Sequence, residues 1–193
     1  MRPDQYGILY LALTSRCNLA CSYCPAPKAG LSMSRLVAER GVDLLLHGDV
    51  RELRFFGGEP LLEFELVKNL VERVEHSGKA HSRLVFRLTT NGLLLDDEKL
   101  DFIAAHRNIQ LVLSVDGDEQ SHTSLRIPSG GAAKGDPAWF EKYATRIAGL
   151  ERPAIVNMVV CPQNVARLTE NFTYILRHGL RRINILQIGR AHV

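Results

Sequence analysis

Six short apolar runs, separated by stretches of helical periodicity, limit this chain to a narrow set of folds. The runs are Ile8 to Leu13, Leu53 to Phe56, Leu84 to Thr89, Ile109 to Val115, Ala154 to Val160 and Arg182 to Leu186. Between them lie Ser34 to His47, with Ser32 or Ser34 as N-cap, a face built on Leu66, Leu70 and Val74, and Asp97 to His106. Further on, Trp139 to Leu150 follows a cap-like Asp136-Pro137, and Val165 to His178 stops at Gly179. Glu119 to Gly135 is rich in Ser, Gly and His without a period, and reads as a long loop. Strand–helix pairs repeating about every 30 to 35 residues are βαβ units and predict a parallel sheet. The alternation alone fits either a doubly wound sheet or a curved partial barrel.

In both cases ligands collect at the C-terminal ends of the strands. Five segments fall there: Cys17–Cys24, Gly57–Glu59, Thr90–Asn91, Ser114–Asp116 and Cys161. Composition narrows the classes of partner. With 24 basic and 21 acidic side chains the net charge is +3, so no electrostatic case exists for a nucleic-acid or membrane-surface protein. No apolar run approaches the roughly 18 residues of a membrane span, and no secretory signal pattern opens the chain. The expectation is a cytoplasmic protein.

Three of the four cysteines crowd into eight residues as C-x3-C-x2-C: Cys17, Cys21 and Cys24. Disulfides among such neighbours would close only trivial loops, and a reducing compartment favours metal or redox chemistry instead. Structural zinc wants four ligands, commonly from two cysteine knuckles, and no second knuckle is present. Three thiolates can hold three irons of a cubane cluster and leave the fourth iron open. Iron–sulfur electron carriers normally use four cysteines.

The string Leu13-Thr14-Ser15-Arg16-Cys17-Asn18-Leu19-Ala20-Cys21-Ser22-Tyr23-Cys24-Pro25 resembles the radical S-adenosylmethionine (SAM) enzymes, including the aromatic Tyr23 before the third cysteine. Phe55-Phe56-Gly57-Gly58-Glu59-Pro60-Leu61 resembles that family's GGEP motif, 33 residues beyond Cys24. Leu113-Ser114-Val115-Asp116-Gly117 resembles the fourth-strand motif of the peptide- and protein-modifying branch, whose members often carry a SPASM-type domain with auxiliary clusters.

The resemblance implies a partial (βα)6 TIM-like barrel of parallel strands. It implies a [4Fe-4S] cluster on Cys17, Cys21 and Cys24, and SAM on the open iron. Reductive cleavage of SAM would give a 5′-deoxyadenosyl radical that abstracts hydrogen from a substrate, here a peptide or protein. Tyr23, Gly57, Gly58, Glu59, Thr90, Asn91, Ser114 and Arg126 are the implied SAM-site residues. Glycines admit close backbone approach, and carbonyls with Glu59 can receive an ammonium group. Ser114 would sit at the ribose, and Arg126 would grip the carboxylate with a planar two-pronged donor. Such chemistry calls for an external one-electron donor of flavodoxin or ferredoxin type.

Plainer readings stand beside these. Ser114 can be a strand-end hydroxyl satisfied by backbone, Arg126 a solvated loop charge, Asn91-Gly92 a simple turn, and Cys161 a small core residue. Functional rivals are a zinc-stabilised binding module without catalysis, and an electron carrier with Cys161 as fourth ligand. The closing string Ile188 to Val193 reads as translated adapter DNA (ATC-GGA-AGA-GCA-CAC-GTC). The expectation is therefore a core domain over 1–187, a non-native tail over 188–193, and a chain that is a fragment of a longer protein.

Overall fold

The computed structural model describes residues 7–27, 29–47, 50–78, 84–129 and 138–187. Six parallel strands form one sheet: β1 (Ile8–Thr14), β2 (Glu52–Gly57), β3 (Val85–Thr90), β4 (Ile109–Ser114), β5 (Ile155–Val160) and β6 (Ile183–Gln187). The helices are α1 (Arg35–His47), α2 (Phe64–His76), α3 (Asp97–Ala105), α4 (Glu119–Leu125), α5 (Trp139–Ala148) and α6 (Leu168–Arg177).

Spatial order follows chain order, β1-β2-β3-β4-β5-β6. Right-handed crossovers between consecutive parallel neighbours place α1, α2, α3, α5 and α6 on the same face. A doubly wound sheet would need the order to reverse midway. The sheet is thus singly wound, a partial (βα)6 barrel open between β6 and β1.

Alternation along each strand sorts the faces. Leu11, Leu13, Leu53, Phe55, Phe86, Leu88, Leu111 and Leu113 point to the helices and are buried there. They share one core with Val42 of α1, Val67, Leu70 and Val74 of α2, Leu100 of α3, and Ile147 of α5. The opposite, inner face is different. Tyr10, Arg54, Arg87 and Gln110 are neighbours in register, forming a polar layer toward the N-terminal ends of the strands. Glu52 pairs there with both Arg54 and Arg87, and Arg54 Nη1 donates to the Tyr10 hydroxyl at 2.6 Å. Closer to the site the inner layer is Ala12 and Phe56, then Thr89, Val112 and Ile155.

Local signals set the helix starts. Of the two candidate caps for α1, Ser34 serves, its Oγ accepting from Val37 N at 3.3 Å. Ser32 instead bridges to Thr14 at the end of β1. Asp96 caps α3, accepting from Lys99 N at 2.9 Å. The expected loop from Glu119 is corrected: Glu119–Leu125 is helix α4. Its weak helix formers are held by Asp118, whose carboxylate accepts from Ser121 N at 3.0 Å. Asp136-Pro137, the rest of the expected loop over 130–135 and the tail over 188–193 lie outside the described residues. No helix among the described residues is long and apolar enough to cross a membrane.

Candidate functional site

The cysteine segment leaves β1 and is fastened on two sides. On one side it meets the turn after β2. Gly58 N donates to Thr14 O at 2.7 Å, and Glu59 N donates to Arg16 O at 2.9 Å. A Cβ at Gly57 would drive into Thr14 O, and one at Gly58 into Arg16 O. Gly57 also has φ +136, which side chains rarely adopt. What approaches these glycines in the structure is therefore the backbone that enters the cysteine loop.

On the other side the loop is zipped to the end of α4 and the segment after it. Ala20 N donates to Ile127 O at 2.6 Å, Ser22 N to Leu125 O at 2.9 Å, and Ser129 N to Asn18 O at 2.9 Å. Leu19 and Pro128 form an antiparallel bridge. Within the loop, Cys17 and Cys21 are half-buried and Cys24 is exposed. Burial pushes the Cys21 thiol up, and the neighbouring Cys17 and Cys24 sulfurs push the same way, whereas Arg126 pulls it down.

Glu59, 1% exposed, ties the turn after β2 to the end of β3. Its Oε1 accepts from Leu61 N at 3.0 Å and Thr90 Oγ1 at 2.7 Å; its Oε2 accepts from Asn91 N at 2.8 Å. Burial raises its pKa, and these three donors oppose the rise. Asn91 passes the connection on, its Nδ2 donating to Asn18 Oδ1 at 2.8 Å beside Cys17. Thr90 and Asn91 are thus more than a turn, although Gly92 N and Leu93 N do close a local turn on their side chains.

Asp116, just past β4, is fully buried. Oδ2 accepts from Tyr23 Oη at 2.9 Å and Arg126 Nε at 2.8 Å; Oδ1 accepts from Arg126 Nη2 and Val159 N, both at 2.9 Å. Arg126 is accordingly buried, with its side chain 6% exposed, and is not a solvated loop charge. Burial disfavours the Arg126 charge, but Asp116 outweighs that and holds its pKa above the ordinary range. Burial also drives the Tyr23 phenol well up, Asp116 adding to the rise, so it stays a donor. The Arg126 guanidinium lies 5.6 Å from the Tyr23 ring centroid.

Ser114 ends β4 in register with Asn157, half-buried, and its hydroxyl makes no hydrogen bond among the described residues. Cys161 is buried and held in its own turn, its N–H donating to Asn164 Oδ1 at 2.9 Å. Asp116 and Asn18 were not singled out from the sequence as site residues. A signal for Asp116 existed in its place beside Ser114 and ten residues before an arginine that would need a partner if buried.

The donor set fits an iron–sulfur cluster with SAM. Three cysteines sit on one loop, with the buried Asn18 Nδ2 beside them lacking a partner among the described residues. Among the described residues no three Cys, His, Asp or Glu side chains close on a point as ligands to a single metal ion would. A singly wound (βα)6 sheet with a three-cysteine loop at its C-terminal edge defines the class of protein. The Radical SAM superfamily model matches residues 11–182, and the chain belongs to that family.

Its relatives include the PqqA peptide cyclase of Gluconobacter oxydans, 31% identical over 95% of this chain and 49% of that protein. The sporulation killing factor maturation protein SkfB of Bacillus subtilis is 27% identical over 94% of this chain and 43% of that protein. The uncharacterized protein MJ0907 of Methanocaldococcus jannaschii is 28% identical over 91% of this chain and 60% of that protein. The chain spans about half the length of the curated relatives it matches. Among solved structures, native anSMEcpe with bound AdoMet and Cp18Cys peptide superposes with a TM-score of 0.81, at 22% identity, over 95% of this chain and 51% of that one. Streptococcus suis SuiB bound to precursor peptide SuiA gives 0.76 at 19% identity, over 96% of this chain and 40% of that one. Both likenesses bear on the fold.

Proposed function

We propose that this chain is the cluster- and SAM-binding core of an enzyme that starts radical chemistry on a peptide or protein. The observation that carries the reading is the cysteine loop, hydrogen-bonded on one side to the Gly58–Glu59 turn and on the other to the segment bearing Arg126. The names of two relatives, a peptide cyclase and a killing-factor maturation protein, support a peptide substrate.

Cys17, Cys21 and Cys24 would hold the [4Fe-4S] cluster, which when bound supplies one electron for reductive cleavage of SAM. This chain's own residues position the co-substrate. The Arg126 edge left free by Asp116 can donate to the SAM carboxylate. Glu59 has one of its four acceptor sites uncommitted, and with the Gly57–Gly58 carbonyls it can take the ammonium group. Ser114 offers an uncommitted hydroxyl to the ribose. Thr90 and Asn91 hold Glu59 and Asn18 in place, and Tyr23 lays a ring beside the site. The electron comes from an external flavodoxin- or ferredoxin-type donor in a reducing, cytoplasmic setting.

Anaerobic reconstitution with iron and sulfide tests the reading. The reduced cluster should change its electron paramagnetic resonance spectrum on adding SAM. Cys17→Ala, Cys21→Ala and Cys24→Ala should each lose that SAM-responsive cluster, while Cys161→Ala keeps it. A zinc-only site, a spectrum indifferent to SAM, or cluster loss in Cys161→Ala overturns the assignment.

A further inference from the structure

Asp116 satisfies four donors with two oxygens: Tyr23 Oη, Arg126 Nε, Arg126 Nη2 and Val159 N. A carboxylate has about four acceptor positions, so none is left for a ligand. Yet its donors come from the cysteine loop, from the end of α4 and from β5, three elements of the candidate site. We propose that Asp116 is a positioning residue that acts through Arg126. It clamps the guanidinium by its Nε–Nη2 edge, so that the Nη1 end is the part presented to the SAM carboxylate.

The geometry explains why an unclamped arginine would serve poorly. An arginine side chain has several rotatable bonds, and ordering them on binding costs affinity. Here that ordering is done before SAM arrives, by two parallel charge-assisted hydrogen bonds. The backbone at Arg126 is fixed as well, because Leu125 O and Ile127 O on either side of it accept from Ser22 N and Ala20 N. Through Tyr23 the same carboxylate holds the residue next to Cys24. Cysteine loop and carboxylate grip are thereby set relative to each other by one buried group. The logic is that of outer partners that orient metal ligands without touching the metal.

Asp116→Asn keeps size and removes one acceptor oxygen, so two of the four donors lose their partner. The inference rests on Arg126 meeting SAM, and the experiment separates the two. SAM affinity is measured anaerobically by calorimetry on the reconstituted chain, with iron content and thermal midpoint read beside it. Arg126→Ala should weaken SAM binding about ten- to a hundredfold, the worth of a charged hydrogen bond. Asp116→Asn should weaken it about tenfold with iron content retained, and should add little in an Arg126→Ala background. Wild-type affinity in Arg126→Ala overturns the SAM-site reading of that arginine. Weakened Arg126→Ala with unaffected Asp116→Asn, or losses that simply add, overturns the positioning role alone.

Should Asp116→Asn fail to fold, the wild-type chain decides the matter. A crystal structure with SAM should keep Arg126 Nε and Nη2 on Asp116 while Nη1 faces the carboxylate. Arg126 swung off Asp116 onto SAM refutes the clamp.

Discussion

His122 shows how a single residue can be legible as a letter and opaque as a site. The sequence offers seven scattered histidines and no reason to prefer one. In the structure His122 lines a pocket of about 200 Å³ with Trp139, Phe140 and Tyr174, and its buried Nδ1 has no partner among the described residues. Burial pushes its pKa down to about 4, with Arg126 adding to the effect and Asp116 opposing it. Between pH 6.5 and 4 the unfolded chain therefore binds more protons at this site than the folded one. Stability should be fully present above 6.5 and fall as pH drops through that window, by about 3 kcal/mol at most. Denaturant titrations across this range should show the slope reduced in His122→Gln; an unchanged slope removes His122 as its source. The neighbouring Arg126 makes the same point about legibility. Its proposed role rests on resemblance, and its burial depends on Asp116 and Tyr23 being brought to it, which no local pattern encodes. The placement of Cys17, Cys21 and Cys24 on one loop was legible because it follows from their spacing alone.

Among the elements, strands announced themselves and α4 did not. β1 to β6 are short apolar runs closed by turn residues, so sequence alone located all six. Helix α4 reads Glu-Gln-Ser-His-Thr-Ser-Leu, with Ser, His and Thr that favour other conformations. It forms because its first turn is capped by Asp118 and its end is fastened to the cysteine loop. Asp118 is itself steadied by Arg167 and by Asn171 Oδ1, which accepts from Asp118 N at 3.3 Å. A helix this short depends on its cap for much of its stability. Asp118→Ala should cost about 1 kcal/mol globally. The larger signature should be local: amide exchange at Ser22 and Ala20, whose partners are the last residue of α4 and Ile127 beyond it, should quicken more than exchange in β2. Equal change in both places would mean that α4 does not hold the cysteine loop.

At the scale of the molecule, the strand–helix alternation alone could not choose between a doubly wound sheet and a partial barrel; the resemblance of the motifs pointed to the barrel. Both are made of the same βαβ units, and strand order is decided by pairings between residues far apart in the chain, such as Leu53 with Phe86 and Thr89 with Val112. Among the described residues the single winding leaves two edges, one on β1 and one on β6. Among the described residues nothing pairs with the outer edge of β6. Its Ile185 and Leu186 are 51% and 41% exposed, and on β1 Ile8 and Tyr10 are 48% and 56% exposed. Unpaired backbone flanked by apolar side chains is a template for adding another strand. The 193-residue chain should therefore self-associate with rising concentration, in a way light scattering can follow. Natural edges are blunted by an outward lysine. Ile185→Lys should accordingly lower the association markedly while moving the unfolding free energy by about 0.5 kcal/mol or less, as for other exposed positions. Unchanged association in Ile185→Lys, with the fold intact, would show that the contact between chains is made elsewhere than on β6.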